Sequence, residues 1–216
     1  MRPLLLPVLF LAATAGAQTA RYRIYQGEKA LGWATVSRTV RKDGGKDVVT
    51  TMQIGESRVR TTAHYAEDGS TVTRRVDNLG PADRVLSFST FRFGPKEIEI
   101  LNDNLGKRTT SRIPVPEGTA DASEGWFYKE KPKPGAKVQS KILNSALKWD
   151  DRVTEYIGPR EGGHLLRQTI GSKSVEVLVD DEGMPIKIMT SDGVKMLKIL
   201  TANPQPEAGA TGKTPM

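Results

Sequence analysis

The sequence predicts a mainly β protein: a strongly curved antiparallel sheet, a half-barrel-like meander, with a short helix in the middle. Three observations carry this. Apolar and polar residues alternate through nearly every segment after Tyr22, the period-two signature of strands with one wet face. The segments end at Asp43-Gly44-Gly45, Asp68-Gly69, Glu182-Gly183 and Asp192-Gly193, where Gly accepts the positive φ that hairpin turns require. Cysteine is absent, so the fold rests on burial rather than on disulfides.

Taken from the N-terminus, the chain opens with Arg2, an apolar run over residues 4–13 and Ala15-Gly16-Ala17. A positive start, an apolar middle and a small-residue cleavage site make a secretory signal of residues 1–17. The expected product begins near Gln18, is exported to the periplasm or beyond, is soluble, and has no cysteine for acylation. Removing 17 of the 216 residues leaves 199, enough for one β domain over residues 18–201. No later stretch reaches the about eighteen apolar residues of a spanning helix, so membrane contact is expected to be peripheral at most. Without Arg2, 31 Lys and Arg stand against 25 Asp and Glu, a net charge of +6. The basic residues are spread along the chain, a pattern that serves solubility.

Within the domain, Val59, Thr61, Ala63 and Tyr65 fall on one strand face, with Arg58, Arg60, Thr62 and His64 on the other. Val175, Val177 and Val179 oppose Ser174, Glu176 and Asp180 in the same way. The two halves resemble each other. Trp33 precedes Gly44-Gly45 and Ile54-Gly55, Trp149 precedes Gly162-Gly163 and Ile170-Gly171, and 21 residues separate Trp from Ile in each. This reads as two repeat modules, 33–76 and 149–190; the alternative is that all meanders look alike.

The middle breaks the alternation. Ile113-Pro114-Val115-Pro116 ends a strand and opens a connector over residues 116–136. Asp121 and Glu124 have capping-box spacing for a short helix, and Trp126, Phe127 and Tyr128 follow as the densest aromatic cluster. Pro132 and Pro134 then prohibit a regular element. The last segment, residues 202–216, has almost nothing to bury and reads as a disordered tail.

A resemblance enters on Glu124-Gly125-Trp126-Phe127, Pro132-Lys133-Pro134-Gly135, Tyr156-Ile157-Gly158 and Asp181-Glu182-Gly183-Met184-Pro185. These short, turn-type motifs, over about the C-terminal half, resemble exported bacterial β proteins of unknown function. Those proteins are similar in outline to the half-barrel outer-membrane lipoprotein carriers. The resemblance implies a bent antiparallel sheet around an apolar cavity closed by a helical plug. Residues 121–128 are the segment for that plug, although the carriers hold more helical sequence.

Catalytic constellations are thin. His64 and His164 are the two histidines, no G-x-S-x-G elbow occurs, and both read as structural residues on strands or hairpins. No paired His or Cys spacing suggests a metal, and no cofactor is expected. Asp150-Asp151 and Asp180-Asp181-Glu182 place acids side by side, where strand geometry sends neighbours to opposite faces or a turn leaves them in solvent. The segment singled out for ligand binding is Trp126, Phe127 and Tyr128 beside Lys129, Lys131 and Lys133. Such a segment forms an apolar lip with a cationic rim suited to an amphiphile with an anionic head. The alternative is that the rings cap the end of the sheet core.

The expected function is that of a noncatalytic envelope protein binding lipid, a lipoprotein or an envelope protein on a concave apolar face. The alternatives are an envelope scaffold without a small ligand and, third, a hydrolase with an unrecognised site. Nucleic acid is not an expected partner of an exported chain.

Overall fold

In the computed structural model, which describes residues 17–116, 126–181 and 183–199, fourteen strands form one antiparallel sheet. The first run is β1 (Ala17–Gln26), β2 (Lys29–Val40), β3 (Lys46–Ile54), β4 (Ser57–Tyr65), β5 (Thr71–Leu79), β6 (Val85–Phe93), β7 (Glu97–Asn104) and β8 (Lys107–Pro114). The second is β9 (Lys137–Leu143), β10 (Trp149–Arg160), β11 (Gly163–Ile170), β12 (Lys173–Val179), β13 (Pro185–Thr190) and β14 (Val194–Lys198). Each run is a meander, and β1 joins them by pairing with both β2 and β14. The sheet is therefore open, with β8 and β9 at its edges. A helical turn, α1 (Trp126–Glu130), lies in the connector between those edges. Residues 1–16 of the expected 1–17 signal, the capping residues Asp121 and Glu124, and the tail over 202–216 lie outside the described residues.

Alternation explains why these segments are strands. In β1 the buried Ala20, Tyr22 and Ile24 alternate with exposed Arg21 and Arg23, and in β12 Val175, Val177 and Val179 point inward together. Directly opposed residues share a face, so the register defines one inner face across the sheet. One row runs Ile24, Met196, Ile188, Val177, Leu166 and Tyr156. Another runs Gln18, Arg38, Val48, Ala63, Arg74, Phe91 and Ile100.

Two apolar clusters form on this frame. The larger packs β1–β3 with β10–β14 and includes Tyr22, Ile24, Val36, Val177 and Val179, all at 0% exposure, so this part of the interior is filled. Each such side chain contributes about 1.5–3 kcal/mol by burial. The smaller joins Phe91, Ile98 and Ile100 to Leu143, with Ile113 and Trp149 packed against it. It brings together strands from both ends of the sheet order, and Trp149 Nε1 donates to the Pro114 carbonyl (2.9 Å).

The hairpins expected at Asp43-Gly44-Gly45, Asp68-Gly69 and Asp192-Gly193 link β2–β3, β4–β5 and β13–β14. In the first, Arg41 N–H donates to Gly45 O (2.8 Å) and Asp43 Oδ1 accepts from Gly45 N–H (2.9 Å). At Gly163 the constraint is close approach, since a Cβ there would meet Val179 O at 1.9 Å.

Trp33 and Trp149 do not occupy equivalent places in register. Ile54 pairs with Gly32, next to Trp33. Ile170 pairs with Arg152, three residues past Trp149, which lies opposite Leu143 instead. The second turn, at residues 161–162, comes later relative to its tryptophan than the first, at 41–45, and β10 carries a register shift between Tyr156 and Gly158. Equal spacing in sequence is thus divided differently between strand and turn.

Candidate functional site

Sequence singled out the aromatic and basic residues of α1, and the structure divides them. Phe127 belongs to the larger apolar cluster at 7% exposure, with Trp126 packed against that cluster and half-buried. The Phe127 ring lies 4.7 Å from Tyr156 and 5.0 Å from His164, both tilted contacts. Phe127 is thus packed against the core. Lys131 is exposed with φ of +44°, and its N–H closes the turn on Phe127 O (3.0 Å). Lys133 is exposed as well. The side chains of Tyr128 and Lys129 lie outside the described part.

Both histidines have acidic partners. His64 Nδ1 and Asp47 Oδ1 are 2.7 Å apart, and Arg41 Nη1 also reaches that oxygen (3.4 Å). His164 shares a hydrogen bond with the Tyr156 hydroxyl through Nδ1 (3.0 Å) and faces Asp181 through Nε2 (3.3 Å). Asp181 is 91% exposed, so solvent screens that pair. Neither imidazole has a serine hydroxyl as a partner among the described residues. Asp150 accepts from Asn144 Nδ2 (3.0 Å) while Asp151 accepts from Lys141 Nζ (2.6 Å). Asp180 accepts from Met184 N–H (2.7 Å) and Lys198 Nζ (3.1 Å). No group of three or more potential metal ligands gathers among the described residues.

The residues that sequence reasoning missed are polar side chains turned inward. Along β10 the buried positions are Arg152, Thr154, Tyr156 and Gly158, whereas Val153 and Ile157 are less buried. Arg152 lies opposite Ser140 on β9, and Thr154 opposite Gln168 on β11. All four are buried: Ser140 6%, Arg152 6%, Thr154 5% and Gln168 2%. Arg152 Nε donates to Ser140 Oγ (2.9 Å), and Gln168 Nε2 makes a long contact with Thr154 Oγ1 (3.4 Å). Along the strand, this patch separates Tyr156 of the larger cluster from Trp149, which packs against the smaller. The available signal was the run Arg152, Thr154, Tyr156, but hydrophobicity favoured turning Val153 and Ile157 inward instead.

On the N-terminal half, Arg38 is buried at 1% and donates to the Gln18 side chain. Tyr22 donates to Pro185 O (2.9 Å). Burial first, then the Asp180 carboxylate, pushes the Tyr22 phenol well above its ordinary range, with Arg38 pulling it back. The inner face thus holds buried apolar and hydrogen-bonding groups side by side. Comparison of the chain with family models, with curated proteins and with solved structures found no match.

Proposed function

We propose that this is an exported, noncatalytic binding protein of the cell envelope, taking a molecule with an apolar body and an acidic group on the inner face of a curved sheet. The observation that carries the reading is the buried polar patch on β9–β11, set beside apolar surface on the same face. Export rests on the N-terminal sequence pattern. Strong curvature is supported by the bond from Trp149 to Pro114, on strands thirteenth and first in sheet order. Twelve spacings in a flat sheet would hold those strands about 58 Å apart. The reading puts the ligand on the β9–β11 side because the interior around β1 and β14 is filled.

Native mass spectrometry of protein expressed with its complete N-terminus in a bacterial envelope tests the reading. A retained lipid-sized adduct is expected. A bare chain that also fails to bind a fluorescent fatty acid would overturn it.

The second reading, a scaffold that docks a partner strand, is favoured by one feature. Edge strand β8 exposes all of residues 107–112, and an uncovered edge offers backbone groups to an added strand. Proline at Thr110 should then abolish partner capture without affecting a bound lipid.

A further inference from the structure

Arg152 stands at the centre of β9–β11 with 6% of its surface exposed. Among the described residues its one side-chain hydrogen bond goes to a neutral hydroxyl, that of Ser140. No carboxylate among those residues forms an ion pair with it, although many other ion pairs are present among them, such as Arg60 with Asp77 and Arg167 with Glu176. A guanidinium carries five N–H donors and is costly to remove from water without an anion.

A second observation comes from the next strand. Gln168, 2% exposed, has a buried Oε1 with no hydrogen-bond partner. It is the diagonal neighbour of Arg152, a spacing of about 7–8 Å that long side chains bridge. Rotating the amide by half a turn would put N–H donors where Oε1 now lies. With the Ser140 and Thr154 hydroxyls, the patch then offers donors from four side chains and no negative charge. Polar residues occupy these inward positions against the hydrophobic pattern of β10, and such local conflicts mark functional sites.

We propose that Arg152, Ser140, Thr154 and Gln168 form a buried site for the anionic group, a carboxylate or a phosphate, of an amphiphile. This rests on the binding function proposed above and locates the acidic end of the ligand.

The test compares dansylaminoundecanoic acid with its methyl ester on wild-type protein, Arg152→Met and Arg152→Lys, each first matched by circular dichroism. Wild type should bind the acid at least tenfold more tightly than the ester. Arg152→Met should bind both alike, and Arg152→Lys should keep part of the preference. Competition by dodecanoate against dodecyl phosphate then identifies the headgroup. Equal binding of acid and ester by wild type, or a tenfold preference retained in Arg152→Met, overturns the anion site and leaves the apolar-binding reading standing. If wild type binds neither probe, that broader reading fails. The site is then judged by thermal shift with inorganic phosphate and acetate: a rise in wild type absent from Arg152→Met supports it, and equal responses overturn it.

Discussion

Two buried charges in the same sheet are treated oppositely. Asp77 on β5 has a side chain only 3% exposed, and its carboxylate accepts from Arg60 Nε (3.1 Å) and Nη2 (2.8 Å) and from Arg75 Nε (2.6 Å). These partners follow from local register, since Arg60 lies directly opposite on β4 and Arg75 two residues away on the same strand. Arg75 also stacks over Phe88, 4.0 Å from its centroid. Arg152 on β10 is as well buried but, among the described residues, its side chain bonds only to the Ser140 hydroxyl. The first charge is neutralised within the fold and reads as structural. The second lacks a counter-charge within the described chain, which is why it reads as a site.

The comparison predicts mutational effects of opposite sign. The largest is at Asp77: Asp77→Ala should destabilise by about 2–3 kcal/mol in urea unfolding, since it strands two guanidiniums. The value sits at the low end because Arg60 and Arg75 are 37% and 42% exposed and regain water. Asp77→Asn should recover part of the loss, and an unchanged midpoint in both variants would break the structural reading of this charge.

Arg152→Met should instead raise ligand-free stability by about 1–2 kcal/mol, because an uncompensated buried charge is replaced by an apolar chain of similar volume. A large loss of stability would mean that Arg152 is already neutralised within the fold and would erase the contrast with Asp77.

Tyr22 sharpens the comparison with a buried group that stays neutral. Its raised pKa means that folding retains the phenolic proton, so its contribution is complete below about pH 10, the ordinary phenol value. Above that pH the unfolded chain ionises while the folded one does not, and the contribution falls as pH rises. Tyr22→Phe should cost about 1 kcal/mol at neutral pH through loss of the bond to Pro185. It should also flatten the alkaline limb of the stability profile, and an alkaline limb identical to wild type would contradict the assignment.

Much of the secondary structure was legible because strand formation is written locally. The alternation of Val175, Val177 and Val179, and the turns at Asp43-Gly44-Gly45 and Asp192-Gly193, each follow from a few consecutive residues. The candidate site was less legible. Phe127 was visible as an aromatic, but its place against Tyr156 and His164 depends on how the connector returns to β10 and β11. The equal spacing from Trp33 to Ile54 and from Trp149 to Ile170 does not carry over into equal register for a related reason, since turn position and the irregularity in β10 set register, and sequence spacing does not reveal them.

By itself, then, the sequence determined the β class, the antiparallel hairpins and the break near residue 116, because backbone preference and side-chain period act over short range. Only the tertiary structure decided that β1 pairs with β14, that strands from opposite ends of the sheet share Phe91, Ile98 and Leu143, and that Arg152 rather than Val153 is buried. Those outcomes depend on which face of each strand meets other strands. A period of two defines two faces but does not say which of them the rest of the chain will cover.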